Sequence, residues 1–276
     1  MLYGISAGPL RSERARRLSA WIARRSAVAT CRDQVSADLL REIDPHLSVE
    51  VHPDPVLGLE PAPDARFEQA LELEKLARKG SRPRLAIAWR DLDFLDFDGR
   101  ILIGALRELA RDYELLFVPQ GTGRDRNDRL IAKAIMAEIG APDMHSLEHR
   151  HAPDVLMRFY ETADVTLAAR LHGAVFSARV GTPVAGLAYL PKVSSFLEAV
   201  GLGDHCVGIR EATPDLIVSA VACARQVDRA AVRNRAAGLA RGVSAYIERA
   251  SALLDLSATD GYRRPALART AHASAG

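Results

Sequence analysis

Short apolar runs alternate along the chain with segments whose apolar positions recur every three to four residues, the pattern of βα units around a mostly parallel sheet. LYGIS (2–6), AVATC (27–31), LAIAW (85–89), ELLFVPQ (114–120), DVTLAA (164–169) and VAGLAYL (184–190) read as strands. Most of them lack strict alternation, as strands buried on both faces do. Helices are predicted over residues 11–24, over 36–43 with Ser36 as N-cap, and over 101–111. Over 128–139, Ile131, Ile135 and Ile139 recur at i+4 and Gly140 follows as a stop. HGAVFSARVG reads as a short helix, and Val193, Phe196, Leu197 and Val200 make PKVSSFLEAVG another, starting at Pro191. A final helix places Leu239, Val243, Tyr246, Ile247, Ala250 and Leu254 on one face.

The proline-rich stretch VHPDPVLGLEPAPDARFEQ and a helical segment ending in KGSRP divide the chain. The expected organisation is a partial Rossmann-like domain over 1–80, a near-complete one over 83–225, a C-terminal helix over 226–257 and a disordered tail over 258–276. The first block opens almost directly into a strand and holds two or three strands, so its sheet would keep an uncovered edge. The class is α/β, with the first of two Rossmann-like domains incomplete.

Composition narrows the function. Across 276 residues, 37 Lys and Arg oppose 35 acids, a net charge of +2 that gives no field for nucleic acid. Cys31, Cys206 and Cys223 show no CxxC spacing, which predicts neither a disulfide framework nor a zinc knuckle and fits a reducing cytoplasm. No run of 18 apolar residues and no leader pattern is present, so no transmembrane segment is expected. GxSxG, HExxH and Walker motifs are absent, and GTGRDR lacks the third glycine of a dinucleotide fingerprint. His145, His149 and His151 have no completing ligand set and read as a solvated linker, and DLDFLDFD reads as a loop; no metal is expected.

The chemistry gathers at strand ends. Arg170 and His172 follow DVTLAA, where α/β sheets place ligands, and His172 falls near a helix N-terminus whose N–H groups form an anion site. Lys192 stands in the first turn of the next helix, an unfavourable place for a cation unless an anion sits beside it. Arg32 after AVATC, Arg90 after LAIA and Gln120 after ELLFVP occupy matching positions. Read singly, each has an ordinary structural explanation, Arg32–Asp33 as a surface turn among them. Together they describe a crevice for a small, multiply charged anion.

The segment RLHGAVFSARVGTPVAGLAYLPKVSSFLEAVGL resembles the signature of the polysaccharide pyruvyl transferases. LYGISAGPL, ATCRDQVSADLLREI, Pro53-Asp54-Pro55, LAIAWR and LFVPQ with Asp128 downstream are similar to that family's other landmarks, in the same order over residues 2–225. The resemblance implies two facing Rossmann domains of the glycosyltransferase-B type. It implies transfer of pyruvate from phosphoenolpyruvate to two hydroxyls of a cell-surface sugar as a cyclic ketal, with no metal or cofactor. Arg32, Arg170, His172 and Lys192 would then bind the donor, with Arg90 and Gln120 beside them, and His172 or Lys192 would deliver the proton. Family members carry an earlier glycine-rich segment with an aspartate, a candidate base for the acceptor, and a G-G-G segment; neither is in this chain, which implies donor binding with impaired transfer. The resemblance implies a cytoplasmic setting, with the inner face of the membrane compatible, and leaves the acceptor and a homo-oligomer open. The alternatives are a nucleotide-sugar glycosyltransferase of the same architecture and a non-catalytic truncated binding protein.

Overall fold

The computed structural model describes residues 2–8, 10–26, 28–77, 82–90, 97–123 and 126–253. Most of DLDFLDFD, the centre of GTGRDR, the KGS of the expected boundary, Leu254 and the expected tail lie outside the described residues. The first sheet is built from β1 (Leu2–Ile5), α1 (Glu13–Arg24), β2 (Ala29–Cys31), α2 (Gln34–Ile43) and β3 (Glu50–Val51), its strands parallel in the order β1-β2-β3. Helix α2 begins two residues before its predicted start. Asp33, not Ser36, is its cap: Oδ1 accepts from the Ser36 amide at 2.7 Å, and the carboxylate also complements the helix dipole. The Ser36 hydroxyl instead accepts from the Ala7 amide at 2.9 Å and ties α2 to the turn after β1.

A 3₁₀ turn over Pro55–Gly58 and α3 (Asp64–Glu74) lead into the second sheet. There follow β4 (Arg84–Ala88), α4 (Gly99–Asp112), β5 (Glu114–Phe117), a small antiparallel ribbon of β6 (Thr122–Gly123) and β7 (Arg126–Asn127), and α5 (Asp128–Ile139). Next come β8 (Met144–Ser146), α6 (Pro153–Glu161), β9 (Val165–Ala168), α7 (Leu171–Arg179), β10 (Val184–Ala188) and α8 (Pro191–Ala199). Strand β11 (Cys206–Gly208), α9 (Pro214–Arg225) and α10 (Arg229–Leu253) complete the chain. The six strands are parallel in the order β11-β10-β9-β4-β5-β8. Counted from β4 this is 6-5-4-1-2-3, the Rossmann order, whose direction reverses between β4 and β9.

Alternate residues of the central strands feed two cores. Leu85, Ile87, Leu115 and Phe117 pack with α4, α5 and α9; Ala86, Ala88 and Leu116 pack with α3, α6, α7, α8 and α10. On the second face the strand residues are small, so helices approach closely. At Gly173 in α7 an added Cβ would overlap the Cβ of Ala88. Helix α10 returns to the first sheet, where Tyr246 stacks on Tyr3 at 4.8 Å and lies 4.2 Å from His52 between ring centroids. Ile247, predicted on that buried face, is 47% exposed because it stands about 100° around the helix from Tyr246. Among the described residues no helix is long and apolar enough to cross a membrane.

The histidine segment is not a solvated linker. His145 lies in β8, His151 is buried, and its Nε2 meets Glu74 Oε1 at 2.6 Å. Glu74 also accepts from the amides of Glu148 (2.7 Å) and His149 (2.9 Å), clamping the end of α3 to the β8–α6 connection. Burial of the Glu74 carboxyl opposes ionisation, but these bonds outweigh it and hold its pKa below the usual carboxylate range. A depressed folded pKa means stability present above the unfolded value near 4.3 and lost as pH falls through the folded one. Glu74→Ala is expected to cost about 1–3 kcal/mol at neutral pH. The gap between its urea midpoint and that of the parent protein should narrow as pH falls through and below the usual carboxylate range; a constant gap would refute the linkage.

Candidate active site

Each predicted site residue leaves the carboxyl end of a parallel strand, so the topology aims all of them at one end of the two sheets. Arg170 is the N-cap residue of α7, and Leu190 that of α8; neither helix has a side-chain cap bond, and Pro191 occupies the first turn of α8. The leading amides of both helices are thus left to whatever lies in the cleft. A cavity of about 220 Å³ opens at the head of α8, lined by Ser6 and Asp33 from the turns after β1 and β2, by Leu39 of α2, and by Leu190, Pro191 and Lys192.

Arg32 and His172 come together from opposite sheets on one carboxylate. Arg32 Nη1 donates to Asp54 Oδ2 at 2.8 Å and its Nε to Ser6 Oγ at 2.6 Å, while His172 Nε2 lies 3.7 Å from Asp54 Oδ2. Asp54 is 6% exposed. Burial alone would raise its pKa, but His172, the Val56 amide and Arg32 together hold it below the usual range, so a full negative charge is kept in the cleft. Arg32–Asp33 is accordingly no free surface turn, since Arg32 bridges to Asp54 and Asp33 caps α2.

Arg170 pairs with Asp128, whose other oxygen accepts from the amides of Gln120 (3.0 Å) and Gly121 (2.7 Å). Asp128 is 5% exposed and holds the β5 loop and the arginine in fixed relation. Gln120 turns inward instead of toward the cleft: its Nε2 donates to Tyr160 Oη at 2.9 Å, and that phenol's pKa is raised, chiefly by burial. Arg90 Nη1 donates to Tyr189 Oη at 2.7 Å, and Lys192 Nζ lies 5.7 Å from the centroid of the same ring. Lys192 is half-buried, and among the described residues it has no carboxylate within ion-pair distance. The structure therefore groups Arg32 with His172, Arg90 with Lys192, and Arg170 with the Gln120 loop.

Asp54 and Asp128 were not read from the sequence as site residues. The proline on either side of Asp54 was the signal available for the first, because Pro55 starts the 3₁₀ turn that Asp54 caps. Among the described residues no group of three or more His, Cys, Asp or Glu could hold a metal ion.

A six-stranded Rossmann sheet, a second parallel sheet facing it across a cleft, and a last helix crossing back define the glycosyltransferase-B architecture. The Anabaena Alr3699/HepE protein in complex with UDP and glucose superposes with a TM-score of 0.60 at 13% identity, covering 88% of this chain and 67% of that one. A glycosyltransferase from Rickettsia africae gives 0.59 at 12%, covering 92% and 69%. Sucrose-phosphate synthase from Thermosynechococcus elongatus gives 0.58 at 16%, covering 92% of this chain, which spans 65% of that protein. At such identities the likeness is one of fold. No curated protein matches the sequence. The family model for polysaccharide pyruvyl transferase matches residues 1–191, and the chain belongs to that family.

Proposed function

We propose that the protein binds phosphoenolpyruvate in this cleft and transfers its pyruvyl group to two hydroxyls of a sugar in a cell-surface polysaccharide or its precursor, in the cytoplasm and without a cofactor. The observation that carries the reading is Lys192, a half-buried ammonium at the uncapped head of α8, with no carboxylate partner among the described residues. Arg32 and Arg170 pair with Asp54 and Asp128, and the Lys192 ammonium adds a positive charge at the head of α8. Each paired arginine keeps a terminal amino group with no bond among the described residues, Nη2 in Arg32 and Nη1 in Arg170, and these meet the carboxylate and phosphate of the donor.

In this reading His172 gives a proton to C3 of the enol, and a sugar hydroxyl adds to the electron-poor C2. The C2–O bond to phosphate breaks with its electron pair leaving on phosphate, which Lys192 neutralises. The second hydroxyl then closes the ketal. One hydroxyl proton restores His172 and the other leaves on inorganic phosphate.

Isothermal titration tests the donor site. Lys192→Ala should weaken phosphoenolpyruvate binding about 10- to 100-fold, the value of a charged hydrogen bond, with the far-UV spectrum unchanged. Unaltered affinity in the variant, or none in the parent, would refute the site. Nucleotide-sugar transfer is the second reading, favoured by the fold neighbour that holds UDP and glucose. It predicts UDP binding near Gln120 and Gly121, whose amides here already serve Asp128. Tight UDP binding with no phosphoenolpyruvate binding would select it.

A further inference from the structure

Helix α1 packs the wrong way round for a surface helix. Its buried residues are the small ones, Ala20 and Ala23, while Leu18 (54% exposed), Trp21 (53%) and Ile22 (39%) face outward. Positions 14, 18, 21, 22 and 25 form one outward stripe at helical spacing, so this apolar centre is closed at both ends by Arg14 and Arg25. Arg25 also lies over the Trp21 ring, its guanidinium carbon 4.2 Å from the centroid. Residues 11–25 hold six arginines against Glu13, a charge of +5 in a chain whose total is +2, so the remaining residues sum to −3. Two of those arginines are spent inside the first domain, Arg16 on Glu42 and Arg24 on Asp44, and exposed Arg17 lies 3.5 Å from Glu13. Arg11, Arg14 and Arg25 are exposed and without a carboxylate partner among the described residues.

We propose that the outer face of α1 is a docking surface for an anionic phospholipid bilayer, with Leu18, Trp21 and Ile22 entering the headgroup boundary and the flanking arginines meeting lipid phosphates. An apolar centre with an interfacial tryptophan inside a basic rim has the composition of a helix that lies in a membrane surface. A second copy of the chain is disfavoured on this face, because two surfaces of the same strong charge would meet. Nucleic acid would satisfy the arginines but leave the Leu–Trp–Ile centre unused. The inference does not depend on what the cleft binds.

Co-sedimentation of the full chain with vesicles tests it, using phosphatidylcholine alone and phosphatidylcholine mixed with phosphatidylglycerol. Binding is expected only to the mixed vesicles, falling steeply between 0.1 and 1 M salt as the Debye length shrinks from about 10 to about 3 Å. Arg14→Gln and Arg25→Gln should each weaken it about fivefold, and both side chains are exposed, so folding is not at stake. Of the two tryptophans, Trp89 is 8% exposed, so a blue shift of the emission on mixed vesicles reports Trp21. Absence of binding, equal binding to both vesicle types, or arginine variants that bind as the parent does would each overturn the proposal. So would retention on duplex DNA without binding to mixed vesicles.

Discussion

Replacing His172 by glutamine should lower pyruvyl transfer by about 10²- to 10⁴-fold, the usual worth of a positioned proton donor, while phosphoenolpyruvate still binds within a few-fold of the parent. The split follows from the geometry. In the proposed binding mode donor charge is met by Lys192, the guanidinium groups and the leading amides of α7 and α8, none of which the substitution removes. What is lost is the imidazole of His172, held 3.7 Å from Asp54 and 45% exposed. Asp54→Asn is the companion test: it keeps the shape but removes the charge that Arg32 and His172 share. Because the Asp54 pKa is depressed, its titration falls on the acid side of an ordinary aspartate's. Steady-state kcat and KM with product analysis decide the matter. A His172→Gln enzyme of full kcat would move the proton to Lys192.

How far the sequence reveals this arrangement depends on the distance over which each feature is determined. The period-four isoleucines with Gly140 in the left-handed region mark α5 to the residue, since a helix and its stop are local events. Strands β4, β5, β9 and β10 are legible as unbroken apolar runs because each is buried on both faces. Strands β8 and β11 are not: both are three-residue edge strands with one neighbour, and His145, Ser146 and Gly208 carry no strand signal. Arg32, Arg90, Arg170, His172 and Lys192 can be picked out as residues that follow strands. Their counterions cannot, since Asp54 is 22 positions from Arg32 and Asp128 is 42 from Arg170. The same holds for Glu74, 77 positions from His151. Gln120 misleads for a related reason: its buried partner, Tyr160, belongs to α6, 40 positions away.

The largest stability effect is expected at the opposite end of the same strands. Arg84 and Glu114 are cross-strand partners in the β4–β5 ladder, 1% and 8% exposed, with Arg84 Nη2 donating to Glu114 Oε1 at 2.9 Å. The guanidinium also donates to Thr162 Oγ1 at 2.7 Å and to the Ala77 carbonyl at 3.0 Å, which joins the chain entering β4 to the end of α6. Arg84→Met keeps the stem but strands the Glu114 carboxylate in the interior, and loss of one partner of a buried pair costs roughly 3–5 kcal/mol. Removing both charges in Arg84→Met/Glu114→Leu should recover most of that loss, because the penalty lies in the orphaned charge and not in the missing attraction. His145 Nε2 lies 3.6 Å from Glu114 Oε1 at the edge of the same site. The urea midpoints of the three proteins measure the recovery, and a double variant no more stable than Arg84→Met would refute it. Arg84 starts β4 whereas Arg90 follows its end, so the folded fraction should bind phosphoenolpyruvate as the parent does. A pair that fixes strand register at one end can thus be dismantled without touching the charges the sheet presents at the other.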